Sequence, residues 1–186
     1  VGVANGLDAL ILALRALDIG PGDEVIVPAN TYIATWIAVS AVGATIVPVE
    51  PDPISHNLDP ALIEKAITPQ TRCLLPVHLY GLPADMTQIL PIAKKYGLKI
   101  VEDAAQAHGA QIQNRPLGSH GDVIAWSFYP TKNLGAIGDA GAITTNDPVI
   151  ANRIRTLRNY GSEIKNLNSE KGINSRLDPL QAAILS

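Results

Sequence analysis

Short apolar segments alternate along this chain with stretches of helical periodicity. The segments that resemble strands occupy residues 1–4, 24–27, 45–49, 72–77, 99–101, 123–128 and 142–145. Helical spacing of apolar residues predicts helices over residues 7–17, 32–42, 60–66, 86–96, from 147 or 148 to about 160, and 180–185. This order favours an α/β fold, because each helix can connect two parallel strands and cover one face of their sheet. We therefore predict a three-layer α/β/α fold around a mostly parallel sheet of about seven strands.

The composition excludes several classes of function. Hydrophobic residues make up 47% of the 186 residues and charged residues 17%, so the chain can build a core and is not expected to be disordered. With a net charge of −3 and no block of basic residues, we expect no binding to nucleic acid or membrane surfaces. Cys73 is the only cysteine, which excludes an internal disulfide, and its apolar neighbours predict a buried structural thiol. No segment resembles a membrane span or signal peptide, so we expect a cytoplasmic protein.

One lysine follows a buried strand and enters a loop of small residues. Lys132 lies two residues after Pro130, where the strand predicted at 123–128 has ended. A lysine in a partly dry pocket can lose its proton and attack a carbonyl, although most lysines in loops are solvated. Covalent chemistry on Lys132 would need further groups for a Schiff-base cofactor: a carboxylate for a ring nitrogen, an anion site and an aromatic ring.

Two polar residues that follow another strand can supply the first of these groups. Asp103 and Gln106 are three positions apart, so a helical turn would direct both side chains to one side. A carboxylate at a strand end can hold a protonated pyridine nitrogen, and an amide can bind a neighbouring ring hydroxyl. In the alternative interpretation, Asp103 caps a helical turn. His78 follows a strand as well; it has no metal partners at ligand spacing, so we predict no metal site and a hydrogen-bonded structural role.

The remaining groups have candidates near other strand ends. A strand, the turn at Asn5-Gly6 and a helix succeed one another at the start of the chain, and such a junction directs unpaired N–H groups outward, where they can bind a phosphate. A purely structural turn is equally compatible with this pattern. Ser127 can offer its hydroxyl to a phosphate or to its own backbone. Tyr32 can stack on a flat ring, although its position alone slightly favours packing on the next helix.

Six segments of the chain, in this order, resemble the sugar aminotransferases of the DegT/DnrJ/EryC1/StrS family. They read ANGLDAL, PANTYIAT, VEDAAQAHGA, SFYPTKNLGAIGDAGAI, LRNYGS and GINSRLDPLQAAIL, and together they extend over almost the whole chain. Members of this family are fold-type I enzymes of the aspartate aminotransferase superfamily and use pyridoxal 5′-phosphate (PLP). The resemblance implies that Lys132 forms the internal aldimine, Asp103 pairs with the pyridinium nitrogen, Gln106 contacts the 3′-oxygen and Tyr32 stacks on the ring.

The resemblance also implies a phosphate cradle formed by Gly6, Leu7 and Ser127. The chain departs from the family at this point, because many members have Ser-Gly-Thr where it has Asn5-Gly6-Leu7. This difference removes a hydroxyl and leaves the backbone amides as the donors.

The implied reaction is transfer of an amino group from glutamate to a nucleotide-linked keto-deoxysugar. Lys132 would also move the proton between the Cα atom and the cofactor. Relatives that dehydrate sugars have histidine in place of the lysine, so aminotransfer is favoured. The segment 138–141, Gly-Asp-Ala-Gly, resembles enzymes that act at sugar C3. The alternatives are a non-catalytic PLP-binding or regulatory protein and another fold-type I reaction, such as elimination or dehydration.

The resemblance further implies a homodimer with a shared active site. Asn159, Tyr160 and Arg176 resemble segments near that site, although surface roles are equally compatible with them. We expect residues 1–165 to form an N-terminally truncated PLP-binding large domain, and residues 166–186 a connector and the start of a mostly absent small domain. The polar, aperiodic residues 162–171 predict a mobile loop.

Overall fold

A seven-stranded sheet forms the centre of the computed structural model, which describes residues 1–117, 121–164 and 166–186. Its strands are β1 (Gly2–Val3), β2 (Glu24–Pro28), β3 (Thr45–Val49), β4 (Thr71–Leu74), β5 (Lys99–Asp103), β8 (Val123–Ser127) and β9 (Gly141–Thr144). They lie in the order β1-β9-β8-β5-β4-β2-β3. The four pairs from β3 to β8 are parallel, whereas β9 runs antiparallel to both of its neighbours, β8 and β1. The prediction of a mostly parallel sheet of about seven strands is therefore confirmed.

Helices cover both faces of the sheet. They are α1 (Gly6–Ala16), α2 (Ile33–Ala41), α3 (Pro60–Ala66), α4 (Met86–Tyr96), α5 (Pro148–Leu157) and α6 (Pro179–Leu185). Helices α1, α2 and α5 contribute to one hydrophobic core and α3 and α4 to a second. Successive strand residues alternate between the two cores, because side chains of a strand point to opposite faces: Val25 and Val27 join the first core, and Ile26 joins the second. This arrangement confirms the three layers.

Aspartate and asparagine side chains begin the helices at the predicted places. The Asn5 Oδ1 atom accepts a hydrogen bond from the amide of Asp8, and Asp59, Asp85 and Asp147 cap α3, α4 and α5 in the same way. These caps satisfy amides that have no partner within the helix, so the sequence determines where α1, α3, α4 and α5 begin.

Some strand and loop boundaries differ from the prediction. Strand β4 ends at Leu74 rather than at residue 77, because Pro76 has no N–H group for the ladder. The segment 162–171, predicted as a loop, contains the short hairpin β10 (Ser162–Ile164) and β11 (Leu167–Asn168), whose turn includes Asn166 at φ +70°; Lys165 lies outside the described residues. A second hairpin, β6 (Gln111–Ile112) and β7 (Arg115–Pro116), turns through two residues of positive φ, as tight hairpins require.

Two predictions about single side chains are confirmed. Cys73 is fully buried, and burial raises the pKa of its thiol to about 12. His78 is also fully buried and hydrogen-bonded: its Nε2 atom lies 2.9 Å from Glu102 Oε2. Across the residues that the structure describes, no helix is long and apolar enough to cross a membrane.

Candidate active site

A cavity of about 590 Å³ opens where the carboxyl ends of β2, β5 and β8 meet the beginning of α1. The carboxyl edge of a parallel sheet is the usual place for a ligand in α/β folds. All seven residues predicted as site residues line this cavity, although they come from distant parts of the chain. They are Gly6, Leu7, Tyr32, Asp103, Gln106, Ser127 and Lys132.

Asp103 contributes a buried carboxyl group to the cavity. It is the last residue of β5, which continues two residues beyond the predicted end at Val101. Its Oδ1 atom accepts a hydrogen bond from the amide of Ala105 at 3.1 Å, and its Oδ2 atom accepts one from the hydroxyl of Thr35 at 3.0 Å. Burial raises the pKa of the Asp103 carboxyl above its ordinary value, and these two hydrogen bonds oppose that rise. The site therefore holds the carboxyl group in a fixed orientation, and a cationic ligand group beside it would favour the charged form of this carboxyl.

Threonine side chains behind Asp103 form a chain of hydrogen bonds that the sequence analysis missed. The hydroxyls of Thr31 and Thr35 lie 2.9 Å apart, and Thr35 is fully buried. Thr31 lies just before α2, and Thr35 lies in the first turn of the helix, four positions later. That spacing was the available signal, but it does not indicate that Asp103, 68 positions later, is the acceptor.

Gln106 lies beside Asp103 and lines the same cavity, as the three-residue spacing predicted. Its Oε1 atom accepts a hydrogen bond from the amide of Tyr80 at 2.8 Å. Because this contact fixes the side chain from outside the cavity, Gln106 offers a defined polar group to a ligand near Asp103.

The first turn of α1 and the end of β8 form a small polar cradle. The amides of Gly6 and Leu7 precede the first hydrogen bond within the helix, which runs from Ala9 N to Asn5 O. A Cβ atom added to Gly6 would lie 2.6 Å from Ser127 Cβ and 3.1 Å from Ser127 Oγ. Only glycine allows the helix start to approach Ser127 this closely. The cradle combines helix amides, a hydroxyl and the positive end of the helix dipole, which suits a phosphate.

Tyr32 and Lys132 complete the cavity. Tyr32 immediately precedes α2 and 70% of its surface is exposed, so the prediction that it packs on the next helix is wrong. Its ring is available to a ligand. Lys132 is half-buried in the turn after β8, where its amide donates to Tyr129 O at 2.9 Å. Within the described parts of the chain, its amino group forms no hydrogen bond or ion pair, and it faces the same cavity as Asp103.

The three residues that resemble family segments near a shared site lie away from this cavity, whereas one further residue lines it. Tyr160 and Arg176 contact each other, with the guanidinium carbon 5.8 Å from the ring centroid, but neither they nor Asn159 line the cavity of this chain. Asp139 lines it and was not predicted as a site residue. No cluster of potential metal ligands occurs among residues 1–117, 121–164 and 166–186.

Comparison by sequence and comparison by structure both give aminotransferases among the relatives of this chain. A model of the DegT/DnrJ/EryC1/StrS aminotransferase family matches residues 1–186. The dTDP-3-amino-3,4,6-trideoxy-α-D-glucose transaminase of Streptomyces venezuelae is 63% identical over 100% of this chain and 49% of its own length. The erythromycin biosynthesis sensory transduction protein EryC1 of Saccharopolyspora erythraea is 58% identical over 100% of this chain and 50% of its own.

Among solved structures, S. venezuelae DesV in complex with a ketimine intermediate superposes with a TM-score of 0.97 at 63% identity. The match covers 100% of this chain and 50% of DesV. The chain thus spans about half the length of the relatives it matches.

Proposed function

Because this chain belongs to the DegT/DnrJ/EryC1/StrS aminotransferase family, we propose that its protein is a PLP-dependent aminotransferase. It would transfer an amino group from glutamate to a nucleotide-linked keto-deoxysugar. One observation carries this proposal: an amine without a partner among the described residues, Lys132, and a buried carboxyl, Asp103, face one cavity that also contains a phosphate cradle.

The residues around the cavity fit PLP in their chemistry. Gly6 lacks the Cβ atom that would fill the cradle beside Ser127, so a phosphate can reach the amides of Gly6 and Leu7. Asp103 would hold a protonated ring nitrogen, and that cation would offset the burial that raises the pKa of its carboxyl. The exposed ring of Tyr32 would cover one face of the cofactor.

Lys132 has two tasks in this proposal. It would hold the cofactor covalently between turnovers. Once the amino group of the donor has taken the place of the lysine, the Nζ atom would act as the base that takes a proton from Cα of the donor and delivers it to the cofactor. When bound, PLP supplies an aromatic ring that withdraws electrons from the reacting carbon. Thr35 and Ala105 would keep the Asp103 carboxylate oriented toward the ring nitrogen during both proton transfers.

The position of amination that we propose is sugar C3. The segment Gly-Asp-Ala-Gly at 138–141 favours this position. Its Asp139 lines the same cavity as Lys132, which lies shortly before it in the chain. The name of the S. venezuelae relative describes a transaminase of a 3-amino sugar, at 63% identity.

We also propose the setting in which this activity occurs. Residues 1–165 would form the PLP-binding large domain, and 166–186 a connector to a small domain. The protein would act in the cytoplasm as a homodimer with a shared active site, to which Asn159, Tyr160 and Arg176 would contribute from the partner.

A regulatory role is the second candidate, because the EryC1 relative is named as a sensory transduction protein. Such a protein could bind PLP without converting it. Exchange with glutamate separates the two candidates, since only an aminotransferase must move the amino group.

The experiment adds PLP to the full-length protein that contains this chain and follows the visible spectrum before and after addition of glutamate. If the protein is an aminotransferase, we expect a visible absorption band that glutamate abolishes, with formation of 2-oxoglutarate and the amine form of the cofactor. Lys132→Ala should lose the band, whereas Lys94→Ala, at the last turn of α4, should retain it. A band that depends on Lys132 but does not respond to glutamate or other amino donors would contradict amino transfer and favour the regulatory role.

A further inference from the structure

A turn that follows β4 determines which end of the Gln106 side chain faces the cavity. The amide of Tyr80 in this turn, residues 78–82, donates to Gln106 Oε1 at 2.8 Å. A peptide N–H can only donate, so the oxygen of the carboxamide must face Tyr80. The Nε2 group keeps both of its donors without a partner among the described residues. Gln106 therefore offers a donor, and not an acceptor, to a ligand in the cavity.

The turn has a backbone conformation that needs support. Tyr80 has φ +56° and ψ +21°, in the left-handed region that residues other than glycine rarely occupy, and Gly81 follows at φ +85°. Such conformations persist when surrounding contacts impose them. If those contacts were lost, the Tyr80 amide would turn away from Gln106.

Asn57 is the first support of the turn. Only 2% of its surface is exposed. Its Oδ1 atom accepts a hydrogen bond from the amide of Leu79 at 3.0 Å, and its Nδ2 atom donates to the carbonyl of Leu82 at 2.9 Å. One side chain thus holds the residues on both sides of Tyr80 and Gly81.

His78 is the second support. Its Nδ1 atom accepts from the amide of Ala84 at 3.0 Å, so the ring proton lies on Nε2, which donates to Glu102 Oε2 at 2.9 Å. The other oxygen of Glu102 accepts from the amide of Gly121. Both side chains of the pair are fully buried, and the His78 amide donates to the carbonyl of Asp103 at 3.0 Å. The pair therefore joins the turn to the end of β5.

We propose that Asn57 and His78 are positioning residues for the ring of the cofactor. They hold the turn so that the Tyr80 amide keeps Gln106 in the orientation in which its Nε2 group donates to an anionic oxygen of the ring. This inference rests on the proposed function, because it concerns PLP in the same cavity. Neither residue lines the cavity, so each acts through Gln106 and not by contact with the ligand.

A double-mutant cycle tests this coupling in the full-length protein. The variants are Asn57→Leu, Gln106→Ala and their combination, and the readout is the dissociation constant of PLP from titration of the visible band. Each single change should weaken binding about three- to tenfold, as expected for the net loss of one hydrogen bond. The combination should be no weaker than Gln106→Ala alone, because Asn57 acts through Gln106. The midpoint of the pH titration of the band should also move in the same direction in both single variants.

Two further variants keep the test decisive. Asn152→Leu, which alters an exposed asparagine on α5, should leave both readouts unchanged. If Asn57→Leu does not fold, Glu102→Gln replaces it in the cycle. This change replaces one of the two acceptor oxygens by an NH2 group, which then faces the N–H group of either His78 or Gly121, and it should displace the turn in the same way.

Each result has a separate meaning. Losses that add in the combined variant, or a band whose titration moves only in Gln106→Ala, would overturn the positioning role and leave the proposed function intact. Absence of any band that depends on Lys132 in the unaltered protein would overturn the proposed function, and the inference with it.

Discussion

The hydrogen bond from Thr35 to Asp103 gives the most specific prediction about cofactor binding. Replacement of Thr35 by valine keeps the shape of the side chain but removes the hydroxyl that donates to Asp103 Oδ2 at 3.0 Å. A hydrogen bond to a charged group contributes about 1.5–3 kcal/mol. Water can enter the open cavity and replace the hydroxyl in the free protein but not when the cofactor fills the site, so the loss falls on binding. We expect the lower end of this range, because the amide of Ala105 still donates to Asp103 in the variant. A loss of about 1.5 kcal/mol weakens binding of PLP about tenfold.

Titration of the full-length Thr35→Val variant with PLP, followed in the visible spectrum, measures this loss directly. Thr35→Ser is the matched control, because it retains the hydroxyl and removes only a methyl group. It should bind PLP within about threefold of the unaltered protein, the size of a small packing change. Equal affinity of the valine variant and the unaltered protein would refute the assigned role of Thr35. Equal losses in the valine and serine variants would also contradict the role of the hydroxyl, because the serine variant retains it.

Three further predictions concern single residues of the fold and the site. Gly6→Ala places a Cβ atom 2.6 Å from Ser127 Cβ and should lower the free energy of unfolding in urea by about 1–3 kcal/mol; an unchanged value would contradict the close approach. Cys73, with a thiol pKa of about 12 and no exposure, should react with a thiol reagent at pH 8 only after denaturation, and rapid labelling of the native protein would contradict its burial. The raised pKa of Asp103 means that, without cofactor, the folded state binds this proton more tightly than the unfolded state. The contribution of Asp103 to stability should therefore be largest below its ordinary pKa and decline as pH rises through the raised value. The free energies of unfolding of Asp103→Asn and of the unaltered protein should differ by an amount that changes with pH. A difference that stays constant with pH would contradict the shift.

The sequence predicted the cavity because its residues follow strands whose ends meet. Parallel strands bring their carboxyl ends to one edge, so Asp103, Ser127 and Lys132 could be placed together before any contact was known. The same reasoning placed Gly6 at a helix start beside that edge. The strand or turn that precedes each residue was sufficient to place it at this edge, whereas its role in the site was implied by the family resemblance.

The roles of residues that depend on partners far away in the chain could not be predicted from the preceding strand or turn. Strand β5 continues past Val101 because Glu102, which hydropathy would place at a strand end, is buried by hydrogen bonds from His78 and Gly121. Thr35 is a site residue only through Asp103, 68 positions later. The predicted packing of Tyr32 was wrong for a related reason, since the space above it is a cavity and not the neighbouring helix.

In the proposed function, Lys132 binds PLP covalently in the cavity that contains Asp103. Reduction of the full-length protein with borohydride in the presence of PLP, followed by proteolysis and mass spectrometry, tests it most directly. We expect the cofactor on the peptide that contains Lys132, and in the Lys132→Ala variant no lysine labelled to a comparable extent. Stoichiometric labelling of a different lysine, or labelling of Lys132 that inorganic phosphate and cofactor analogues do not reduce, would contradict a specific site at this cavity.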